Sequence, residues 1–345
     1  MSRIAVVTSS PPMAEGGHMV IARELRRALR DAGHDAHIIV TPQNRFGRQA
    51  SAYVATWLTD LGASERPIDQ VISLRYPSYA VRHSRHVCSL NHTMREYYDL
   101  WDRFSASLSP QGLAKERVRR LLIHTADRYL LTRNVTRLFV QSKTIQQRLS
   151  MWPTLRSTVL YPPAPKRPYR CEEYGDEILL VSRLTRLKRA DLLVRALATS
   201  TARGLRAVIA GEGEERAALE RLASEIGVAN RVRFTGTLSE EQLIAELARC
   251  RAVCFPTYQE DFGFVTVEAF ASRKAVVTCT DSGGPAELVQ DGVNGFLTAP
   301  APESLASALR HLVDDPSLAE RFGSAAYEAS AKLTWPETVK QLIVQ

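Results

Sequence analysis

Residues 255–277, reading FPTYQEDFGFVTVEAFASRKAVV, hold the densest set of side chains able to do chemistry. Seven residues separate Glu260 from Glu268. Glu260 falls in a loop after an apolar strand, and Glu268 about a turn and a half into the following helix, so the two carboxylates can reach different parts of one extended ligand. Phe262 and Gly263 lie near that helix's N-terminus, where unpaired amides and the helix dipole favour an anion or a hydroxyl-rich group. On spacing alone, a solvated loop acid and a helix-face acid fit these residues at least as well.

A second group is LLVSRLTRLK, residues 179–188, in which Arg183 follows directly on a buried strand and Lys188 comes five positions later. Two cations at the carboxyl end of a parallel strand face the ligand crevice and suit a diphosphate, although a cationic loop by itself is also an ordinary solvated turn. Arg186 and Arg189 read as surface charges. Glycines form the third group: Gly16 and Gly17 lead into the first helix, and Gly283 and Gly284 into a later one, so the backbone could approach a phosphate at both points. AGEGEE, with Gly211 and Gly213, lacks the third glycine and the ribose-binding acid of a dinucleotide fingerprint. Walker, zincin, nucleophile-elbow and Asp-x-Asp patterns are missing, so no metal is expected.

The elements that must position these residues alternate. Arg3–Thr8 is a β-branched strand running into a Pro- and Gly-rich loop, Met19–Ala32 has helical apolar spacing stopped by Gly33, and His37–Val40 is the next strand. That βαβ unit implies a parallel sheet with its ligand site at the strands' carboxyl ends. Further strands are expected at Val71–Leu74, His86–Leu90 and Leu138–Gln141, with a helix over Leu113–Leu131. After the proline cluster between Tyr161 and Tyr174, strands at Ile178–Ser182, Arg206–Ala210, Val232–Phe234, Ala252–Phe255 and Ala275–Cys279 alternate with helices, giving a second doubly wound α/β domain.

Composition bounds the class. At 345 residues, 45% hydrophobic and 24% charged, the chain suits two globular domains and excludes disorder. No apolar run reaches the roughly 18 residues of a membrane span, and the opening stretch is too short for a signal peptide, which points to the cytoplasm. The five cysteines form no paired framework, and Cys250 and Cys254 lack partners for a metal site. The net charge of +8 is uneven: residues 1–170 carry 26 Lys and Arg against 12 Asp and Glu, or +14, and the remainder carries −6. The Arg-rich stretch Lys115–Arg137 could attract a lipid-linked phosphate or the inner face of an anionic membrane, and a solvated face explains it as well. Nucleic-acid motifs are missing.

The order of a glycine loop after the first strand, then SRLTRLK, AGEGEE, RVRFTG, QEDFGFVTVEAFA and SGGPAELVQDGVNGFL, resembles the retaining glycosyltransferases of family 4. The resemblance is firm over residues 174–331 and looser before Tyr161. It implies the GT-B fold: two Rossmann-like doubly wound α/β domains facing each other across a cleft, at residues 1–165 and 166–331, with 332–345 returning toward the first. It further implies that Arg183 and Lys188 neutralise the donor diphosphate, that Glu260 contacts the transferred sugar and Glu268 the donor ribose, and that His92 sits beside the sugar. Amides near Phe262, Gly263 and Phe264 would position sugar and phosphate, Gly16 and Gly17 would close over the donor, and Gly211 and Gly213 would line the nucleoside. Arg95 and Tyr98, in an unusually polar-aromatic string, are placed on the acceptor side.

The activity so implied is metal-independent transfer, with retention, from a nucleoside-diphosphate sugar, UDP- or GDP-linked, to an acceptor hydroxyl in cell-surface polysaccharide or glycolipid synthesis, without a cofactor. Natural-product glycosylation, sugar-nucleotide 2-epimerisation and silent sugar-nucleotide binding are the alternatives. The chain departs from the family where Gly-x-Pro is usual after the second glutamate's helix, since Ser272, Arg273, Lys274 and Ala275 stand there.

Overall fold

The computed structural model describes residues 1–11, 17–43, 48–61 and 66–344, and the chain divides into two compact units, Met1–Pro162 with Thr334–Gln345, and Pro163–Leu333. In chain order the first unit contains β1 (Arg3–Ser10), α1 (Gly17–Asp31), β2 (Asp35–Pro42), α2 (Gln49–Trp57), β3 (Gln70–Ser73), β4 (His86–Leu90), α3 (Trp101–Ser105), α4 (Pro110–Arg133), β5 (Arg137–Val140), α5 (Lys143–Leu149) and β6 (Thr158–Val159). The second contains β7 (Glu177–Val181), α6 (Ala190–Leu197), β8 (Arg206–Ala210), α7 (Arg216–Glu225), β9 (Val232–Gly236), α8 (Glu240–Arg249), β10 (Ala252–Cys254), α9 (Phe264–Ala271), β11 (Val276–Cys279), α10 (Gly284–Leu288), β12 (Gly295–Thr298), α11 (Pro302–Asp314) and α12 (Pro316–Ala331). Helix α13 (Trp335–Leu342) belongs to the first unit, where the Gln70 side chain donates to Leu342 O at 2.6 Å and accepts from Val344 N at 3.0 Å.

Among the described residues each unit builds one six-stranded parallel sheet, ordered β2-β1-β3-β4-β5-β6 in the first and β12-β11-β10-β7-β8-β9 in the second. Central strands of such sheets are covered on both faces and are buried throughout, as β1 is after its first residue, with an apolar run over Ile4–Val7. In the second unit Ile178 and Leu180 of β7 enter one core with α6 and α11, while Leu179 enters another with Phe270 of α9. Alternation along a single strand thus supplies the two cores of a doubly wound fold.

Local signals set the helix ends. Ser239 caps α8 by accepting from Gln242 N at 3.2 Å, and the Gln242 side chain accepts from Ser239 N at 2.9 Å, a complete capping box. Ser109 caps α4 with Pro110 in its first turn, and Thr334 caps α13 in the same manner with Pro336. The expected strands and long helices are present; the short α2 and α5 and the edge strands β6 and β12 are additional.

Candidate active site

In the second sheet the strand order reverses between β7 and β10, and ligands of such sheets bind outside the carboxyl ends at this switch point. The segments leaving those two strands hold Arg183 and Lys188 on one side and Glu260 on the other. Lys188 Nζ lies 2.5 Å from Glu260 Oε2, with each side chain about one-fifth exposed, and Thr257 Oγ1 approaches the same oxygen at 3.3 Å. Lys188 also stands over the Phe255 ring at 5.5 Å. Arg183 is exposed on the first segment. The segment after β7 thus carries an exposed arginine and, five residues on, a lysine whose ammonium pairs with a carboxylate from the segment after β10, groups of the kind that take a phosphate and a hydroxyl.

The glycines explain why these segments can converge. A Cβ on Gly211, whose φ is +130°, would fall 1.8 Å from Ser182 O, and one on Gly213 would fall 2.2 Å from Leu184 O. Only hydrogen at both Cα positions lets the AGEG backbone lie against the segment carrying Arg183. Gly283 plays the same part for Glu260: its Cβ would meet Glu260 O at 2.5 Å, and Glu260 N donates to Ser282 O at 2.7 Å. These glycines therefore face protein backbone. Gly283 and Gly284, read from the sequence as phosphate-approach positions, pack against residues 260–262.

Gly263, at φ +77°, is the N-cap of α9, which begins at Phe264; the Phe262 and Phe264 rings meet edge to face at 5.2 Å. Glu268 is one turn into this helix and is 6% exposed. A carboxylate buried in FVTVEAFA requires a partner. Arg167 Nη1 supplies it, joined by Tyr169 OH at 3.2 Å, and Arg167 Nε also pairs with Glu240 at 2.9 Å. Burial pushes the Glu268 carboxyl above the usual range, against the pull of Arg167 and Tyr169. Sequence reasoning missed Arg167 and Tyr169; the available signal was a lone acid in an apolar helix and a basic-aromatic KRPYR among prolines.

Arg189 corrects another expectation. It is no surface charge: in a left-handed conformation at φ +48°, its guanidinium pairs with both Asp281 oxygens, at 2.6 and 2.9 Å, and donates to the Pro256 and Thr257 carbonyls. It thereby ties the segments after β7, β10 and β11. Arg186 is the exposed residue of the pair, its side chain 88% accessible.

In the first unit, Gly17 opens α1 with space around its Cα, and Gly16 lies outside the described residues. His92, half-buried, follows β4, and its carbonyl accepts from Tyr76 N at 3.2 Å. Arg95 and Tyr98 are both buried: Arg95 donates to Asp99 Oδ2 at 2.7 and 3.0 Å, and Tyr98 OH donates to Asp127 Oδ2 at 2.5 Å. Their polar ends are directed into the interior of this unit. The four cations and acids Arg183, Lys188, Glu260 and Glu268 thus belong to the second unit, and His92, Arg95 and Tyr98 to the first.

The description "Glycosyl transferases group 1" matches residues 167–329. The D-inositol 3-phosphate glycosyltransferase of Streptomyces griseus is 35% identical over 169 residues, which are 46% of this chain and 36% of that protein. The match thus spans well under half of that relative's length. Sucrose-phosphate synthase from Thermosynechococcus elongatus superposes with a TM-score of 0.78 at 18% identity, covering 98% of this chain and 97% of that one. Anabaena HepE, solved in complex with UDP and glucose, gives 0.68 at 19% identity over the same shares. Residues 167–329 therefore carry the pattern of glycosyl transferases group 1, on a chain that has the GT-B fold of its structural neighbours in two parallel-sheet α/β units.

Proposed function

We propose that the protein transfers a sugar, with retention at the anomeric carbon, from a nucleoside-diphosphate sugar to an acceptor hydroxyl. The observation that carries this reading is the meeting of Lys188 with Glu260 at the switch point of the second sheet, on two segments of which the first also carries Arg183. UDP-linked glucose is the favoured donor, since the Anabaena neighbour holds UDP and glucose on the same fold. In this reading the diphosphate takes Lys188 from Glu260 and pairs it with Arg183 on phosphate oxygens. Glu260, released, accepts from the sugar's hydroxyls. Glu268, held by Arg167 and Tyr169, keeps one oxygen for the ribose. The bond from the anomeric carbon to the phosphate oxygen breaks, the bond to the acceptor oxygen forms on the same face, and the acceptor proton passes to the departing phosphate. Stabilising charge that grows on a leaving group is the largest help such a site can give. A lipid-linked or polysaccharide acceptor fits the basic first unit.

The test is a screen of UDP-, GDP-, ADP- and dTDP-sugars for thermal stabilisation and nucleoside-diphosphate release, with and without EDTA. One nucleotide series should stabilise the wild type and be turned over in EDTA. Arg183→Ala with Lys188→Ala should lower release by at least about a hundredfold, the scale of two charge-stabilising groups, with the circular-dichroism spectrum unchanged. Near-normal turnover in that double variant would overturn the assignment.

A further inference from the structure

Helix α4 presents an unusual outward face. Its buried side, through Ile123, Asp127, Leu130 and Leu131, already anchors it to the first unit. Its outer side nevertheless shows Val118 at 59%, Leu121 at 67%, Leu122 at 63% and Tyr129 at 57% exposure. At 3.6 residues per turn these four fall within an arc of about 100°, a stripe along a 24-residue helix. Lys115 and Arg133 lie along one border of the stripe, and Arg117 and Arg128 along the other, all four exposed.

The only two acids in the helix, Glu116 and Asp127, are buried, so its exposed charge is entirely positive. Among the described residues, none of the four bordering cations is paired with a carboxylate. An apolar stripe fringed by unpaired cations on both sides is ill-suited to water. It matches an anionic bilayer surface, where the apolar side chains enter the acyl boundary and the cations meet the headgroups.

We infer that the outer face of α4 is a docking surface for an anionic lipid bilayer, which it lies on and does not cross. The assignment does not rest on the transferase reading, and its test needs no turnover. The full chain is sedimented with vesicles of phosphatidylcholine alone and of phosphatidylcholine mixed with phosphatidylglycerol, at low and high salt. At low salt the pelleted fraction should be at least about tenfold greater with the anionic vesicles and should fall as salt screens the cations.

Leu121→Ser with Leu122→Ser should lower anionic pelleting by about tenfold at fixed salt. Arg117→Gln with Arg128→Gln should remove the preference for anionic over neutral vesicles. Both variants change exposed side chains only, and an unchanged circular-dichroism spectrum verifies their fold. Wild-type protein left in the supernatant, equal pelleting with neutral vesicles, or variants that pellet like the wild type would overturn the inference. So would a wild-type dimer in free solution that the leucine variant splits and that vesicles do not compete away, because the stripe would then belong to a second copy of the chain.

Discussion

The two glutamates of the second unit differ in what holds them. Glu260 is paired with Lys188 where each side chain is still about one-fifth exposed, whereas Glu268 is held by Arg167 and Tyr169 in a buried setting. Removing one member of a buried ion pair leaves the other uncompensated, at a cost of about 3 kcal/mol. Arg167→Ala should therefore destabilise the second unit by about that amount, measured by urea unfolding followed by circular dichroism. Arg167→Met combined with Glu268→Met should recover most of the loss, because two apolar side chains of similar volume need no partner. Equal destabilisation by the single and the double variant would show that packing, and not charge, is what Arg167 contributes. If the proposed ribose role is right, the double variant regains stability without regaining donor affinity. The acid was legible in the sequence, but its partner was not: Arg167 lies 101 residues away, and no local spacing connects them.

At the scale of elements, α4 is fastened to the first unit by a charge buried from solvent. Asp127 is 1% exposed and accepts from the hydroxyls of Tyr53, Tyr79 and Tyr98, drawn from three other segments. Burial pushes its carboxyl up to about 6, against the pull of the three hydroxyls. Because the folded value exceeds the unfolded one, its contribution to stability is complete below about pH 4 and is lost as pH rises through about 6. Buried His86, pushed down to about 4 chiefly by burial, acts in the opposite sense: its contribution is present above about pH 6.5 and is lost as pH falls. The two offset each other over the same window. Asp127→Asn leaves His86 unopposed, so between pH 7 and pH 4 the variant should lose about 3 kcal/mol more than the wild type. All four tryptophans, Trp57, Trp101, Trp152 and Trp335, lie in the first unit, so their fluorescence in urea reports on it directly. Identical pH dependence in the two proteins would mean that the tyrosines keep Asp127 ionised throughout.

For the whole molecule, charge and chemistry divide by unit. The first unit, with 24 Lys and Arg against 13 Asp and Glu, is strongly basic and includes α4 and its exposed cations, while the second, with 21 against 24, is slightly acidic and includes the segments with Arg183, Lys188 and Glu260. If the second unit binds the nucleoside diphosphate, a saturating nucleotide should slow amide hydrogen exchange in residues 182–189 and 258–268 and leave α4 unchanged. Ligand at about a hundred times its dissociation constant stabilises by about 2.7 kcal/mol, enough for roughly hundredfold slower exchange of amides that open with that unit. Protection confined to the first unit would move the nucleotide site away from the segments after β7 and β10.

Much of the fold could be read from periodicity. The apolar run of β1, the helical spacing of α1 and the alternation after Tyr174 each record a local geometric demand, so two doubly wound domains followed from sequence. The loops holding Arg183, Lys188 and Glu260 were legible for the same reason, since each directly follows a readable strand. Short α2 and α5 and edge strand β6 span too few residues to establish a period. Tertiary structure alone decided the partners: Lys188 with Glu260 across 72 residues, Arg189 with Asp281 across 92, and the burial of Arg95 and Tyr98 in internal contacts. It also decided which side of α4 meets solvent, because that helix has apolar residues on both sides and its sequence names no inner face. A chain's local pattern records what each segment buries, whereas the meeting of two charged side chains depends on where distant segments cross.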